Sequence, residues 1–156
     1  MTARCVRMRT VVSAGMAKVY SALTDYRQLV DLVDGLETLD PVPAPGALVK
    51  SANGAAEQGA RFAARLDVGA HKVEDTLVLS RLAPGELVIW ESAGDGSRAL
   101  SFELRPHEDA SRTSVLLSVS YEEPEGWKGL LLAPVIEQAV RSRARKTLVN
   151  LKAAFA

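Results

Sequence analysis

The chain opens on alternation. In "RCVRMRTVV", Val6, Met8, Thr10 and Val12 fall on one side and Cys5, Arg7, Arg9 and Val11 on the other. That is the two-residue period of a half-buried strand, with arginines on its wetter face. From Ser13 the spacing turns helical: Val19, Leu23, Leu29, Leu32 and Val33 recur at steps of three and four. Thr24-Asp25 breaks the run with a good capping residue, so two short helices are expected, the first capped by Ser13 and the second ended by Asp34-Gly35. The prolines at 41, 43 and 45 exclude a helix or a central strand there. Short strands are expected at Leu36–Leu39 and Ala47–Ser51, followed by a loop or hairpin tip.

After residue 59 the period of two returns. Phe62, Ala64, Leu66 and Val68 alternate with Arg61, Arg65 and Asp67. Strands at 71–82, 87–92, 98–104 and 113–123 follow, joined by turns at "GA", "APGE", "AGDGS" and "PHEDASR". Successive strands with short turns form an antiparallel meander. Its inward positions include Leu100, Phe102, Leu104, Val115, Leu117, Val119 and Tyr121. The last change of period comes near Pro134, which suits a first helical turn. Ile136, Val140, Ala144, Leu148, Leu151 and Phe155 then form one apolar stripe. A helix from Pro134 to Phe155 would be about 33 Å long, and strands of about nine residues reach roughly 30 Å. Helix and sheet therefore match in length.

This order of elements resembles the START-like (helix-grip, SRPBCC) superfamily, and particular stretches strengthen the likeness. "VYSALTDYRQLVDLVDGLETLD" resembles the family's helix pair, and "LSRLAPGELVIWES" its strand–turn–strand ending in an aromatic. "LLLAPVIEQAVRSRARKTLVNLKAAF" is similar to the terminal helix of the polyketide cyclase/dehydrase-type branch. The resemblance implies an α+β fold, a curved antiparallel sheet of six to seven strands around the long C-terminal helix, with a cavity between them. It also implies a small hydrophobic ligand there: a natural product, a lipid or a quinone-like compound. Two further expectations come with it. One is a polyketide cyclase or dehydrase acting on a poly-β-keto chain; the other is sequestration of a cytotoxic metabolite for self-resistance.

Composition narrows the setting. With 156 residues, 47% of them hydrophobic and 24% charged, the expectation is one soluble domain over residues 1–156. Lys+Arg and Asp+Glu number 19 each, which gives no reason to expect nucleic acid or an anionic membrane as partner. "GLLLAPVI" is too short to cross a bilayer, so no membrane insertion is expected, and the chain reads as a monomer or weak homodimer. The single cysteine, Cys5, excludes an internal disulfide and suits a reducing, cytoplasmic setting. Ala- and Arg-rich usage points to a GC-rich bacterial source.

Candidate chemistry is sparse. His71 and His107 fall at separate hairpin ends, without metal-ligand spacing, so neither metal nor cofactor is expected. Cys5 reads as a small strand residue, and "GDG" at 94–96 as a turn rather than a phosphate cradle. Asp75 stands out because it shares a strand face with Val73, Leu77 and Leu79. An unpaired charge facing a packed core is costly. Asp75 could line a cavity and orient a ligand hydroxyl or act as a base. Alternatively a β-bulge turns it outward, or an arginine pairs with it, Arg143 at the border of the helix stripe being the partner available. Asp75, Tyr121 and Arg143 are the catalytic candidates. The expected ligand-binding set is Phe62, Ala64, Leu66, Asp75, Leu77, Trp90, Phe102, Tyr121, Trp127 and Arg143. For the aromatics plain core packing is the competing reading, whereas Trp127, in the glycine-flanked "EGWKG", suits a lid at a cavity mouth. Thr10, Glu91 and Asn150 complete the inward polar groups, and Ala64 and Ala99 suggest unfilled inward volume.

Overall fold

Each change of period in the sequence becomes a change of element. The computed structural model describes residues 2–42, 57–67, 72–94, 98–123 and 126–156. In chain order they form β1 (Thr2–Val12), α1 (Met16–Thr24), α2 (Tyr26–Leu32), β2 (Leu36–Pro41), β3 (Arg61–Asp67), β4 (Lys72–Ala83), β5 (Leu87–Ser92), β6 (Ala99–His107), β7 (Asp109–Glu123) and α3 (Gly126–Ala154). The strands make one seven-stranded antiparallel sheet in the order β1-β7-β6-β5-β4-β3-β2. The sheet is not closed: β1 and β2 are its edges, and α1 and α2 carry the chain from one edge to the other. The strand expected at Ala47–Ser51, together with Val68 and His71, lies outside the described residues.

Three boundaries differ from the sequence reading. Gly15, not Ser13, caps α1, and it contributes no side-chain bond. Thr113 instead ties the junction by donating from Oγ1 to the Ala14 carbonyl at 2.6 Å. The β6–β7 connection is far tighter than the "PHEDASR" turn suggested, with Glu108 alone between the strands at φ 56°. Asp109 supports this hairpin by accepting from the Ser111 backbone at 2.8 Å and from its hydroxyl. Finally, α3 begins at Gly126 and has Pro134 in its interior. Pro134 costs one backbone hydrogen bond, but leucine and alanine upstream are strong helix formers and extend the helix past it.

Two bulges set which side chains face inward. In β2 the register slips between Leu36 and Thr38, so Leu36 and Leu39, three residues apart, are both buried. In β4 it slips between Leu79 and Arg81, so Leu79 meets Trp90 and Leu82 meets Val88 while Arg81 stays exposed. Without that extra residue, parity would send Arg81 into the core. The β4 bulge falls after Asp75, which therefore keeps the inward orientation of Leu77 and Leu79.

One end of the inner face is packed solid. Phe62, Leu79, Val88, Trp90, Phe102 and Leu117 are almost fully buried. Tyr26, Phe62 and Trp90 stack in sequence with ring centroids 5.2 and 5.3 Å apart. The indole N–H of Trp90 donates to the Leu23 carbonyl of α1 at 3.3 Å, so its polar atom is satisfied inside the core. Burying side chains of this size stabilises by about 1.5–3 kcal/mol each. The C-terminal half of α3 is anchored beside this core. Ala144, Leu148 and Leu151 are buried, Thr147 Oγ1 accepts from the Asp34 backbone at 3.0 Å, and Asn150 donates to the Leu32 carbonyl at 3.1 Å.

Candidate ligand-binding site

Toward the other end of the inner face the side chains become only half-buried. Leu77 on β4 lies beside Ser92 on β5, and Leu100 on β6 lies between Trp90 and Val119. Leu100 and Val119 continue the cross-strand row of Leu79 and Trp90 but are only half-buried, and Leu77, one row further on, is half-buried too, as is Leu66 on β3. Ser92 and Arg98 lie level with Leu77, Tyr121 lies two residues beyond Val119 on β7, and Ala64 and Asp75 come one row past Leu77. At this same end β7 finishes and α3 begins. The first half of α3 exposes Leu131, Leu132 and Val135, while Ile136 and Val140 pack partly against the core.

Asp75 is the polar centre of this region, and its side chain is only 18% exposed. Oδ2 accepts from the Ser92 hydroxyl at 2.7 Å and from Arg98 Nη1 at 3.1 Å; Oδ1 accepts from the Thr76 backbone at 2.8 Å. The inward carboxylate is thus compensated by one cation and two further donors, which is what its burial requires. Arg143 is not the partner. Its guanidinium reaches Asp34 at 3.1 Å and Asp67 at 3.4 Å, and the aliphatic stem packs against Gly35. That places Arg143 in a clasp between α3, the α2–β2 junction and the end of β3. Arg98 was missed although the expected strand at 98–104 opens with it, at the same parity as Leu100 and Phe102. It sits directly across the β5–β6 hairpin from Ser92, whose backbone N–H donates to the Arg98 carbonyl at 2.9 Å.

Of the other expected site residues, Phe62, Trp90 and Phe102 belong to the packed core. Ala64 is buried beside Asp75, and Tyr121 is almost buried at the far end of β7. Trp127 lies in the first turn of α3 and is 68% exposed, so it does not have the buried lid position expected of it. Glu91 and Ala99 pair with each other on the outer face, because Trp90 and Leu100 take the inner positions. Asn150 serves the α2–α3 contact.

Two depressions are present. One, of about 790 Å³, is lined mainly by outer-face residues of β2, β3 and β4, with Arg61 and Arg65 beside Asp40 and Glu74, and it reaches Ala64 and Asp75. The other, of about 470 Å³, follows the seam between β1 and α3. Among the described residues no helix is long and apolar enough to cross a membrane.

The family described as polyketide cyclase / dehydrase and lipid transport matches residues 3–156. The chain belongs to that family. Solved structures share its fold. A protein from Thermus thermophilus is 18% identical with a TM-score of 0.73, the alignment covering 96% of this chain and 94% of the other. A START superfamily protein from Mycobacterium smegmatis is 10% identical with a TM-score of 0.71, covering 97% and 96%. The Zhui aromatase/cyclase from Streptomyces sp. R1128 is 16% identical with a TM-score of 0.64, covering 96% and 88%. At these identities the likeness is one of fold. No curated protein matches the chain.

Proposed function

We propose that this START-like protein binds a small, largely apolar molecule between the half-open end of the inner face and the first half of α3. The observation that carries this reading is the half-burial of Leu77, Leu100 and Val119 on the inner face. These apolar side chains share a face with a fully buried layer yet remain half-buried themselves. Apolar surface left accessible on an inward face is a favourable place for an apolar guest. The Asp75–Ser92–Arg98 cluster supplies one polar anchor at its border, able to orient a hydroxyl or carbonyl of the ligand. A natural product, lipid or quinone-like compound fits this description.

A cyclase or dehydrase reading has its own support, because the inward polar groups Asp75, Ser92 and Arg98 lie within hydrogen-bond reach of one another. Binding is preferred: three donors already engage the Asp75 carboxylate, an arrangement suited to holding a position rather than taking a substrate proton.

Native mass spectrometry of the purified protein tests the reading through a co-purifying apolar mass. A second test uses the uncharged dye N-phenyl-1-naphthylamine. Binding with enhanced fluorescence, lost when Leu100→Trp fills the region in a still-folded protein, is the expected result. Binding that survives the filling substitution would refute it.

A further inference from the structure

The seam between β1 and the last turns of α3 has a chemistry of its own. Its depression of about 470 Å³ is lined by two cations of α3, Arg145 and Lys152, by the apolar Met8, Leu148 and Val149, and by Arg9 and Thr10 of the edge strand. We propose that this cleft binds the head of a single-chain amphiphilic anion, a carboxylate or phosphate with an apolar tail, at a site separate from the inner-face pocket.

The charge distribution carries the argument. The α3 sequence contains Lys128, Arg141, Arg143, Arg145, Lys146 and Lys152 against one acid, Glu137, in a chain whose net charge is zero. Some of this charge is used structurally: Arg141 meets Glu137 at 3.3 Å, and Arg143 meets Asp34 and Asp67. Arg145 and Lys152, with Arg9 across the seam, have no ion-pair partner among the described residues. Among the described residues no carboxylate lines this cleft, whereas the larger depression holds Asp40, Glu74 and Asp75 beside its arginines.

Like charges gathered around one concavity repel each other, and an anion bound among them relieves the repulsion. The Arg145 fork matches a carboxylate or phosphate, and the Thr10 hydroxyl offers a further donor. The floor selects for a tail: Leu148 is buried, Met8 half-buried, and Val149 is 53% exposed at the rim. A polyanion would call for an extended basic stripe rather than a confined cleft with an apolar base. Met8 lies opposite Leu117, in the packed layer of the sheet, so the site is remote from Asp75 and Tyr121.

Octyl phosphate is the probe, titrated calorimetrically with inorganic phosphate as the tail-less control. Octyl phosphate should bind at least about tenfold more tightly than phosphate, and Arg145→Gln with Lys152→Gln should weaken it by about tenfold or more. Amide shifts should map to residues 8–10 and 145–152. N-phenyl-1-naphthylamine binding should not change in these variants, so this site and the inner-face pocket fail independently. Sedimentation with phosphatidylglycerol vesicles, against phosphatidylcholine alone, identifies the source. Cation-dependent vesicle binding means a bilayer headgroup; binding of octyl phosphate alone means a free amphiphile. Absence of both, unchanged affinity in the glutamine variants, or shifts at Leu77, Leu100 and Val119 would overturn the proposal.

Discussion

Leu77 and Leu79 sit two residues apart on the same face of β4. Leu79 meets Trp90 across the strand and is fully buried; Leu77 meets Ser92 and is half-buried. Chain pattern treats them alike. The difference comes from what lies over them, because α1 and α2 cap one end of the inner face with Leu23, Leu29 and Tyr26, while at the other end α3 rests chiefly on β1 and β7. An apolar inward position is therefore core or candidate pocket wall according to its distance from the helical cap.

The comparison can be broken most directly by truncating both leucines. Leu79→Ala should cost about 2–5 kcal/mol in chemical denaturation. Leu77→Ala should cost less than about 2 kcal/mol, because less apolar area leaves water there, and it should weaken N-phenyl-1-naphthylamine binding. Equal costs would erase the distinction between the two ends.

At the half-open end, Asp75→Ala should cost about 1–3 kcal/mol by stripping Ser92 and Arg98 of their acceptor. Arg98→Ala should cost less than about 1 kcal/mol, since that arginine is well exposed. A larger loss from Arg98 than from Asp75 would show that the arginine, not the carboxylate, organises the cluster. Asp75→Asn with Arg143→Gln sharpens the point further. The two belong to separate networks, so their effects should add to within about 0.5 kcal/mol.

The smallest effect lies beyond the packed end, in the β6–β7 hairpin. The hydroxyl and then the backbone N–H of Ser111 hold the Asp109 carboxyl below the usual carboxylate range, reinforced by Arg112 and His107. A carboxyl depressed in the folded state contributes stability above its unfolded value, near 3.9, which is lost as pH falls through the folded one. Asp109→Asn should remove that acid-sensitive contribution, and an NMR titration of Asp109 with an ordinary midpoint would contradict it.

Much of the architecture was legible along the chain. The β1 alternation, the Thr24-Asp25 break between α1 and α2, and the meander from β3 to β7 all follow from local period and turn chemistry. The inward orientation of Asp75 was legible too. The sequence reading failed wherever the deciding contact was nonlocal. Arg143 could be placed at the border of the helix stripe, but only the packing of α3 against Gly35 showed that Asp34 and Asp67 claim it. Trp127 looked like a loop residue because Pro134 seemed to bar the helix from starting earlier. The aromatic expectations for Phe62, Trp90 and Phe102 gave way to core packing once α1 and α2 were seen to cover them.

By itself the sequence determined most of the elements and their order, because periodicity is written within a few neighbouring residues. The tertiary structure alone decided which residues the bulges turn, which inward positions are filled, which carboxylate holds which guanidinium, and that Arg145 and Lys152 of α3 share one cleft with Met8 of β1. Those outcomes depend on distances between residues far apart in the chain, and such distances exist only after the sheet has curled and the helices have settled on it.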